Sequence, residues 1–584
     1  MCRICGIVDP KNNNLKNDIE TMSNSMKRGG PDSFGYLINN KVGLGHRRLK
    51  IIDLSNRADQ PMSLESKELF LIFNGEIYNY KILKRQLLSK GVIFKTTSDT
   101  EVILRGFELE GENFLYKLKG MFSIVLYNKI FSKLILYRDP SGIKPLYYYA
   151  HNNKFYFSSE IRALKSLNRF NENPDWKIFF LAFGFIPEPY TTLENVFSLE
   201  AGSIFKYDID KGVLNKNNPI QTPVKQIINN KNAATRLIYD KLHVAVKNHL
   251  VSDVPVSFFL SGGIDSSILS IIGAKFSKNP INTISIDFEE VEYSERKYQE
   301  QIVNMLKTDH INKSVKKEDF SNSLDDVLLA MDQPSIDAIN TYFICKYAKA
   351  SGAKVVFSGI GADEIFCGYS TFKRIKRMLF LRRLPKRLFK LLKVIKSRKA
   401  NRLSFFQLDG IIGLYLVNRG LHDPNEISEL LKIPVNIVID KLNTLNTYYN
   451  IALNKHHIDV ASYLDFSIYM KNQLLRDSDY MSMWHSIELR VPFLDEDLLS
   501  AVKSINPKLR YDSKIQKKLL IDSFKNELPE TIWNRKKMGF EFPFKKWITY
   551  EDLKFSNINS HCENQYSKGN YNWSQYWATK ISNI

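Results

Sequence analysis

Two glycine-rich stretches carry residue types that handle phosphate chemistry. Ser261-Gly262-Gly263-Ile264-Asp265-Ser266-Ser267 follows a short apolar run at 254–260 and opens a helical pattern faced by Ile268, Leu269, Ile271 and Ile272. Glycines let the backbone approach an anion, and a helix N-terminus offers unpaired N–H groups and a positive dipole end. The Gly-Lys-Ser/Thr ending of a Walker loop is absent. Asp265 stands inside the loop instead, placed to hold Mg²⁺ against a pyrophosphate. Taken alone, this is also how a capped glycine turn reads. The second stretch, Ser358-Gly359-Ile360-Gly361-Ala362-Asp363-Glu364, repeats the arrangement after another apolar run. Two such loops on one parallel sheet can face each other at the strands' carboxyl ends, so that Asp265 and Asp363 share a magnesium ion.

The elements that must position these loops change character along the chain. Residues up to about 206 read as β-rich: strands at 69–78 (ending at an Asn-Gly turn signal), 121–127, 134–137, 147–149 and 155–157, with helices at 15–26, 80–90 and 101–110. From 207 to 233, Asn, Lys, Pro and Gln dominate, which reads as a linker. Strands at 254–260, 282–288, 310–315 and 354–357 then alternate with helices, implying a parallel sheet covered on both faces. The remainder reads as mostly helical. The expected domains are therefore 1–206 and 234–584.

Taken together, these motifs resemble a family. Ser261–Ser267 looks like the loop of the ATP pyrophosphatases. With Asp332-Gln333-Pro334, the 358–364 loop, Gly368-Tyr369, Met481-Ser482-Met483, Glu488-Leu-Arg-Val-Pro-Phe-Leu-Asp495 and Arg535-Lys-Lys-Met-Gly-Phe540, the chain resembles the glutamine-hydrolysing asparagine synthetases from Cys2 to about Trp547. The resemblance implies an N-terminal-nucleophile hydrolase domain, an αββα sandwich. After it would come a parallel-sheet α/β synthetase domain of the adenine-nucleotide-hydrolase type with a helical C-terminal part. It also implies glutamine, ATP with Mg²⁺, and a carboxylate acceptor, aspartate by default. A homodimer is compatible with it.

Within that resemblance, Cys2 becomes the first residue once Met1 is removed, and its own α-amine can take the thiol proton. Asn74 and Gly75 would form the oxyanion hole. Arg48, in Gly45-His-Arg-Arg-Leu49, would grip the glutamine carboxylate bidentately. Asp99, with Glu76, would hold the glutamine ammonium. Gly30-Pro31-Asp32 reads as a structural turn, and His46 as structural. The family commonly begins Met-Cys-Gly-Ile-Ala-Gly-Ile, whereas here Arg3 and Cys5 replace Gly and Ala. Arg3 puts a bulky cation beside the nucleophile. In a rival register Cys5 is the nucleophile after a cleaved propeptide; a small buried strand residue is the preferred reading.

In the second half the resemblance assigns ATP to Leu260, Ser261, Gly262, Gly263, Asp265, Ser266, Ser267, Ile286, Ser358 and Gly359. It assigns metal to Asp265 and Asp363, and catalysis to Lys517, which by itself would read as a solvated helix lysine. One departure matters. The family's loop usually reads Ser-Gly-Glu-Gly, and here Ile360 replaces that Glu. Ile360 can neither accept a proton nor bind an ammonium. Relatives that amidate uronic acids of surface polysaccharides also vary at this position, so such a carboxylate is the alternative acceptor; Glu364 is a substitute for the missing acid.

Composition limits the remaining classes. Of a net charge of +21, fourteen basic residues and no acid fall in 373–402. A nucleic-acid-binding domain would not concentrate charge this way. An ordinary helix pair docked by its apolar side is the preferred reading of 373–402, with peripheral membrane contact as the alternative. Five scattered cysteines, no secretory signal and no apolar run long enough to span a bilayer point to the cytosol. A binding protein on a retired enzyme scaffold would have lost Cys2, Asp265 or Asp363, and all three are present.

Overall fold

The computed structural model describes residues 2–66, 68–217, 226–390, 401–539, 542–547, 566 and 571–582. Its strands are β1 Arg3–Val8, β2 Ser33–Ile38, β3 Val42–Arg48, β4 Met62–Ser63, β5 Leu69–Ile77, β6 Gly120–Asn128, β7 Lys133–Arg138, β8 Tyr147–His151, β9 Lys154–Ser158, β10 Val196–Ser198, β11 Ile204–Asp208, β12 Val213–Asn217, β13 Val256–Phe259, β14 Asn282–Phe288, β15 Asp309–Val315, β16 Val355–Phe357 and β17 Glu488–Arg490. They form sheets ordered β10-β8-β9-β1-β3-β2, β12-β11-β7-β6-β5-β4 and β15-β14-β13-β16-β17.

The first two sheets are antiparallel and pack face to face. Successive strand residues point to opposite faces, and β1 shows how this sorts its side chains. Ile4 and Val8 enter the core between the sheets, with Ile72, Val125 and Phe157. Cys5 and Ile7 face the helix layer of Leu15–Ser25 and Ile161–Lys165. On the far side, Phe73 of β5 packs under the helices Tyr80–Leu88 and Asp99–Glu110. The order is helix, sheet, sheet, helix, as the resemblance implied.

Two sequence expectations are corrected here. The Asn-Gly pair is not a turn, because β5 runs through Asn74 and Gly75, which pair with Ser123 and Phe122 of β6. Nor is 207–217 a linker: β11 extends to Asp208 and β12 pairs with it from Val213 to Asn217. The edge strand β12 is mostly exposed, so its composition is polar. Residues 218–225 of the expected linker lie outside the described residues, and the next domain begins with the helix Lys231–His249, capped by Asn230.

The third sheet is wholly parallel. Its chain path runs outward from β13 to β15, then returns to β16 and β17 on the other side of β13. The reversal between β13 and β16 is a topological switch point, where loops at the strand ends open a crevice. A helical region follows. Within it, the helix His457–Leu464 continues through a π-helical segment, Asp465–Leu475, into the helix Arg476–Trp484.

Of the basic segment 373–402, residues 391–400 lie outside the described residues. The helix Thr371–Leu381 docks through buried Phe372 and Ile375, and Phe389 packs on Phe406 with ring centroids 5.0 Å apart. In the described part Phe372, Ile375 and Phe389 dock, while Phe380, Leu384 and Leu388 stay exposed.

Buried charges join the two halves. Arg3 is fully buried, with Nε 2.5 Å from Glu160 and Nη1 2.6 Å from Asp479 of the synthetase half. Lys144 holds the other Asp479 oxygen at 3.0 Å. Asp332 accepts the Ile161 and Arg162 amides at 2.6 and 2.7 Å, capping a helix of the first domain. Arg3 therefore extends away from the nucleophile, over Gly29, where an added Cβ would lie 2.8 Å from the arginine side chain. Removing one partner of a buried ion pair typically costs about 3–5 kcal/mol, because the other charge stays buried. Arg3→Ala should lower stability by that order and separate the unfolding of the two halves in denaturant titrations; an unchanged single transition would refute the bridging role.

Candidate active site

The first cluster gathers at the open end of the sandwich. Cys2 precedes β1 and shares the Ile4 face; Asn74 shares the Ile72 face of β5. Both point between the sheets, and the Cys2 N–H donates to Asn74 Oδ1 at 3.2 Å. That bond fixes the amide's orientation and leaves Asn74 Nδ2 buried without a partner. Buried donors are nearly always satisfied, so a free one beside a thiol is a site for an oxyanion. Gly75 has φ +154°, and a Cβ there would lie 2.0 Å from the Met121 carbonyl oxygen, so no side chain fits. Cys5 is on the opposite face of β1, its thiol pushed up to about 12 by burial. It therefore lies away from Asn74, packed against the helix layer as a small buried strand residue.

Burial also raises the Cys2 thiol, opposed by the Leu49 amide and the Arg48 charge. A thiolate is thus not preformed, and the nucleophile needs a base in contact. Arg48 differs from expectation. Its Nη1 donates to the Ser55 carbonyl at 2.8 Å and Asp59 at 2.7 Å, and its Nη2 to the Ile52 and Asp53 carbonyls. Four of its five N–H donors order the 52–59 loop, so a bidentate grip on substrate is not available in this arrangement. Asp99, at the helix N-terminus capped by Ser98, accepts the Ile77 amide at 3.1 Å. Burial lifts Asp99 to about 6, and lifts Glu76 well above its usual range with help from Glu488 and Asp99. Arg490 lies 3.7 Å from Glu76 and 2.6 Å from Glu488. His46 is buried against the Phe73 carbonyl and depressed to about 3 by burial, a neutral structural residue.

The second cluster occupies the switch point. β13 leads through Leu260 into the 261–263 turn and the helix Ile264–Phe276. Gly262 has φ +73°, favourable only to glycine, and a Cβ there would lie 2.9 Å from the Gln299 amide. Ser266 Oγ accepts the Ser261 amide at 3.2 Å, so the loop braces itself. Ser267 is buried with an unpartnered hydroxyl. Ser358 and Gly359 follow β16; a Cβ at Gly359 would lie 2.8 Å from that of Asp265, so the two loops touch. Ile286 ends in β14, buried, its carbonyl held by Gln299.

Lys517 joins the acids. Its Nζ is 2.5 Å from Asp265 and 2.8 Å from Asp363. It precedes the helix Lys518–Phe524 with φ +54°, a strained conformation for lysine, and is buried. It is not a solvated helix lysine. Burial opposes its charge, but the two carboxylates outweigh that and raise it. Burial pushes Asp265 up against the pull of Lys517; for Asp363, Lys517 and Lys537 together overcome burial and hold it at about 2. The second Asp265 oxygen has no protein partner. Two acids within reach of one cation, one oxygen still free, fit a divalent ion completed by phosphate oxygens.

Sequence reasoning gave no role to two cations of the Arg535–Lys537 triplet. Lys537 Nζ lies 2.6 Å from Asp363. Arg535 donates to the Gly262 carbonyl at 3.0 Å and Glu295 at 2.6 Å, and stacks 3.9 Å over Tyr298. The signal present was the Arg535–Phe540 motif, which was matched to the family without a role for its cations. Ile360 packs against the apolar cores on both sides.

Comparison with known proteins covers both halves of the chain. A model of the asparagine synthase family matches residues 237–572, and one of glutamine amidotransferase domains matches 1–217. The chain belongs to the glutamine-hydrolysing asparagine synthetase family. It is 34% identical over 547 residues to a glutamine-hydrolysing asparagine synthetase of Bacillus subtilis, covering 91% of this chain and 85% of that one. A putative asparagine synthetase of Methanocaldococcus jannaschii is 35% identical over 446 residues, covering 71% and 84%. An asparagine synthetase B of Escherichia coli is 27% identical over 577 residues, covering 94% and 83%. The protein is accordingly an ATP-dependent amide ligase with a glutaminase domain.

Glu364 allows a pH test of the site. Burial raises its carboxyl from the ordinary 4.5 to about 7; the Asp363 charge adds to this, and the Tyr369 hydroxyl, 2.7 Å away, opposes it. A folded-state value above the unfolded one favours folding at low pH. That contribution is present below about pH 4.5 and is lost as pH rises through about 7. Glu364→Gln should match the parent near pH 5 and exceed it by up to roughly 3 kcal/mol near pH 8. Denaturation midpoints at both pH values measure this; a difference independent of pH would contradict it.

Proposed function

We propose that glutamine is hydrolysed at Cys2 and that its ammonia passes to a carboxylate adenylated by ATP at the switch point, giving an amide, AMP and pyrophosphate. The observation that carries this reading is the Asp265–Lys517–Asp363 bridge, which gathers both phosphate-type loops around one buried cation.

Removal of Met1 frees the Cys2 α-amine, whose pKa of roughly 7.7–8.0 leaves a useful neutral fraction near neutrality. The amine takes the thiol proton, and sulfur attacks the glutamine amide carbon. Asn74 Nδ2 and the Gly75 N–H bind the oxyanion. The α-ammonium returns that proton to the amide nitrogen, the C–N bond breaks as ammonia departs, and water cleaves the thioester to glutamate. Glu76 and Asp99 receive the glutamine ammonium, and Arg48 contributes charge near its carboxylate. In the other half, Ser261, Gly262, Gly263, Ser266, Ser267, Ser358 and Gly359 cradle ATP phosphates, with Leu260 and Ile286 against adenine. Asp265 and Asp363 would hold Mg²⁺, which supplies charge neutralisation for the leaving pyrophosphate. Lys517 stabilises negative charge that develops on the acyl-adenylate.

The relatives are named as asparagine synthetases, which puts aspartate forward as acceptor. Ile360 favours a second reading, a larger carboxylate such as a uronic acid of surface polysaccharide, because it removes an acid from the acceptor side of the loop. The free state of Cys2, Cys5, Cys345 and Cys367 supports a cytosolic setting.

Cys2→Ala should abolish glutamine hydrolysis and leave ammonia-dependent synthesis intact; Asn74→Ala should lower glutaminase kcat by about 100- to 1,000-fold. Intact mass should show loss of Met1 alone. Asp265→Asn and Asp363→Asn should each stop ATP-dependent pyrophosphate release while glutaminase persists. Normal pyrophosphate release by either variant would refute the shared-cation site.

A further inference from the structure

The helix Thr371–Leu381 has two unlike faces. It packs on the helices Gly410–Arg419 and His457–Leu464, with Phe372 and Ile375 buried. Lys373, Lys376, Arg377 and Phe380 recur at the spacing of a single helix face, and all four are exposed. The chain then bends. The amides of Arg383, Leu384 and Leu388 donate to the carbonyls of Phe380, Leu381 and Pro385 at 3.0 Å each, so Leu384 and Leu388 stay within short turns of Phe380. Phe380, Leu384 and Leu388 are 66%, 40% and 48% exposed. A large apolar side chain standing singly in water is ordinary, but three on one bend are not.

The surroundings of these side chains are cationic. Lys373, Arg374, Lys376, Arg377, Arg383 and Lys386 are exposed. The acids on the neighbouring elements are already engaged: Asp409 pairs with Lys386, Asp465 with Arg419 and Thr371, and Asp459 with Arg510. Lys373, Arg374, Lys376, Arg377 and Arg383 are left without an acid partner among the described residues. A face with this charge repels a second copy of itself and attracts a polyanion. Nucleic acid would pair its phosphates with the cations and leave the exposed leucines in water. An anionic bilayer meets both features, because its phosphates pair with the cations and its headgroup layer takes the apolar side chains out of water.

We propose that this bend docks the enzyme on an anionic lipid surface. Phe380, Leu384 and Leu388 enter the headgroup boundary, and Lys373, Lys376, Arg377 and Arg383 pair with lipid phosphates around them. No described helix is long and apolar enough to cross a membrane, so the contact is peripheral. Phe372 and Ile375, on the other side of the helix, tie the contact to the core of the synthetase half. The helix follows the 358–364 loop in the chain, and its own length of about 16 Å separates Thr371 from the lipid-facing end. A docked enzyme therefore carries its adenylation crevice near the bilayer. The proposal does not depend on which carboxylate is amidated.

The test is co-sedimentation of the full chain with vesicles of phosphatidylcholine alone, or containing about one-third phosphatidylserine. In dilute salt the anionic vesicles should carry down about ten times more protein than the neutral ones. Salt at about 1 M, where the Debye length falls to about 3 Å, should release most of it. The triple variant Phe380→Ser, Leu384→Ser, Leu388→Ser and the double variant Arg377→Gln, Arg383→Gln should each lower binding about tenfold, with glutamine hydrolysis within about twofold of the parent. No pelleting, equal pelleting with neutral vesicles, or binding that both variants retain would overturn the proposal. If the double variant alone lost binding, and duplex DNA or polyglutamate competed equally well, the face would be a general polyanion site and the proposal would fail. It would fail also if the triple variant abolished a concentration-dependent dimer while the parent bound no vesicles, since the bend would then belong to a second copy.

Discussion

The ion pair between Arg3 and Asp479 places a charge from the residue after Cys2 inside the other half of the molecule. Two ions taken out of water are unfavourable unless their geometry is excellent and their remaining bonds are met. Here Glu160 and Lys144 complete the set, and Asp332 closes the neighbouring helix end. The halves can therefore part only by exposing unpaired charge. Cys2, one residue along, inherits its position from that restraint, and so does the Asn74 side chain that its N–H orients.

The synthetase cluster is organised by the same physics with a different balance. Asp265, Asp363, Lys517 and Lys537 hold two negative and two positive charges in a partly closed space. Their neutrality lets the crevice exist before substrate arrives. Lys517 is held there by a left-handed backbone turn rather than by a helix, so its ammonium is aimed before any phosphate needs it.

Much of this was legible in the sequence because it depends on local rules. Apolar runs bounded by turn and polar signals located β5, β6 and β7, which are buried on both faces. Glycine followed by an acid at the start of a helix located both loops. Alternating strands and helices gave the parallel sheet. The failures are equally physical. β12 was read as linker because an exposed edge strand has the composition of one. Asn74-Gly75 was read as a turn because local propensity cannot see that β6 pairs across it. β17 is three residues long and carries no periodicity. Lys517 looked solvated, and Arg3 looked misplaced, because each is explained by a partner in a distant segment. Arg48 was given to substrate because a motif says which residue is present and not which carbonyls have already claimed its donors.

The unbroken rod from His457 to Trp484 has a consequence of its own. Its π-wound middle turns carry Tyr469 and Gln473, and its last turns carry Asp479. A π-helical stretch closes i→i+5 hydrogen bonds and so packs more residues into each turn than α-winding does. Removing a single residue there would rewind the rod and rotate its end, turning Asp479 away from Arg3. The angular phase of one helix thus keeps Tyr469 beside Tyr369 and Asp479 beneath Arg3 at the same time, as a camshaft times two valves.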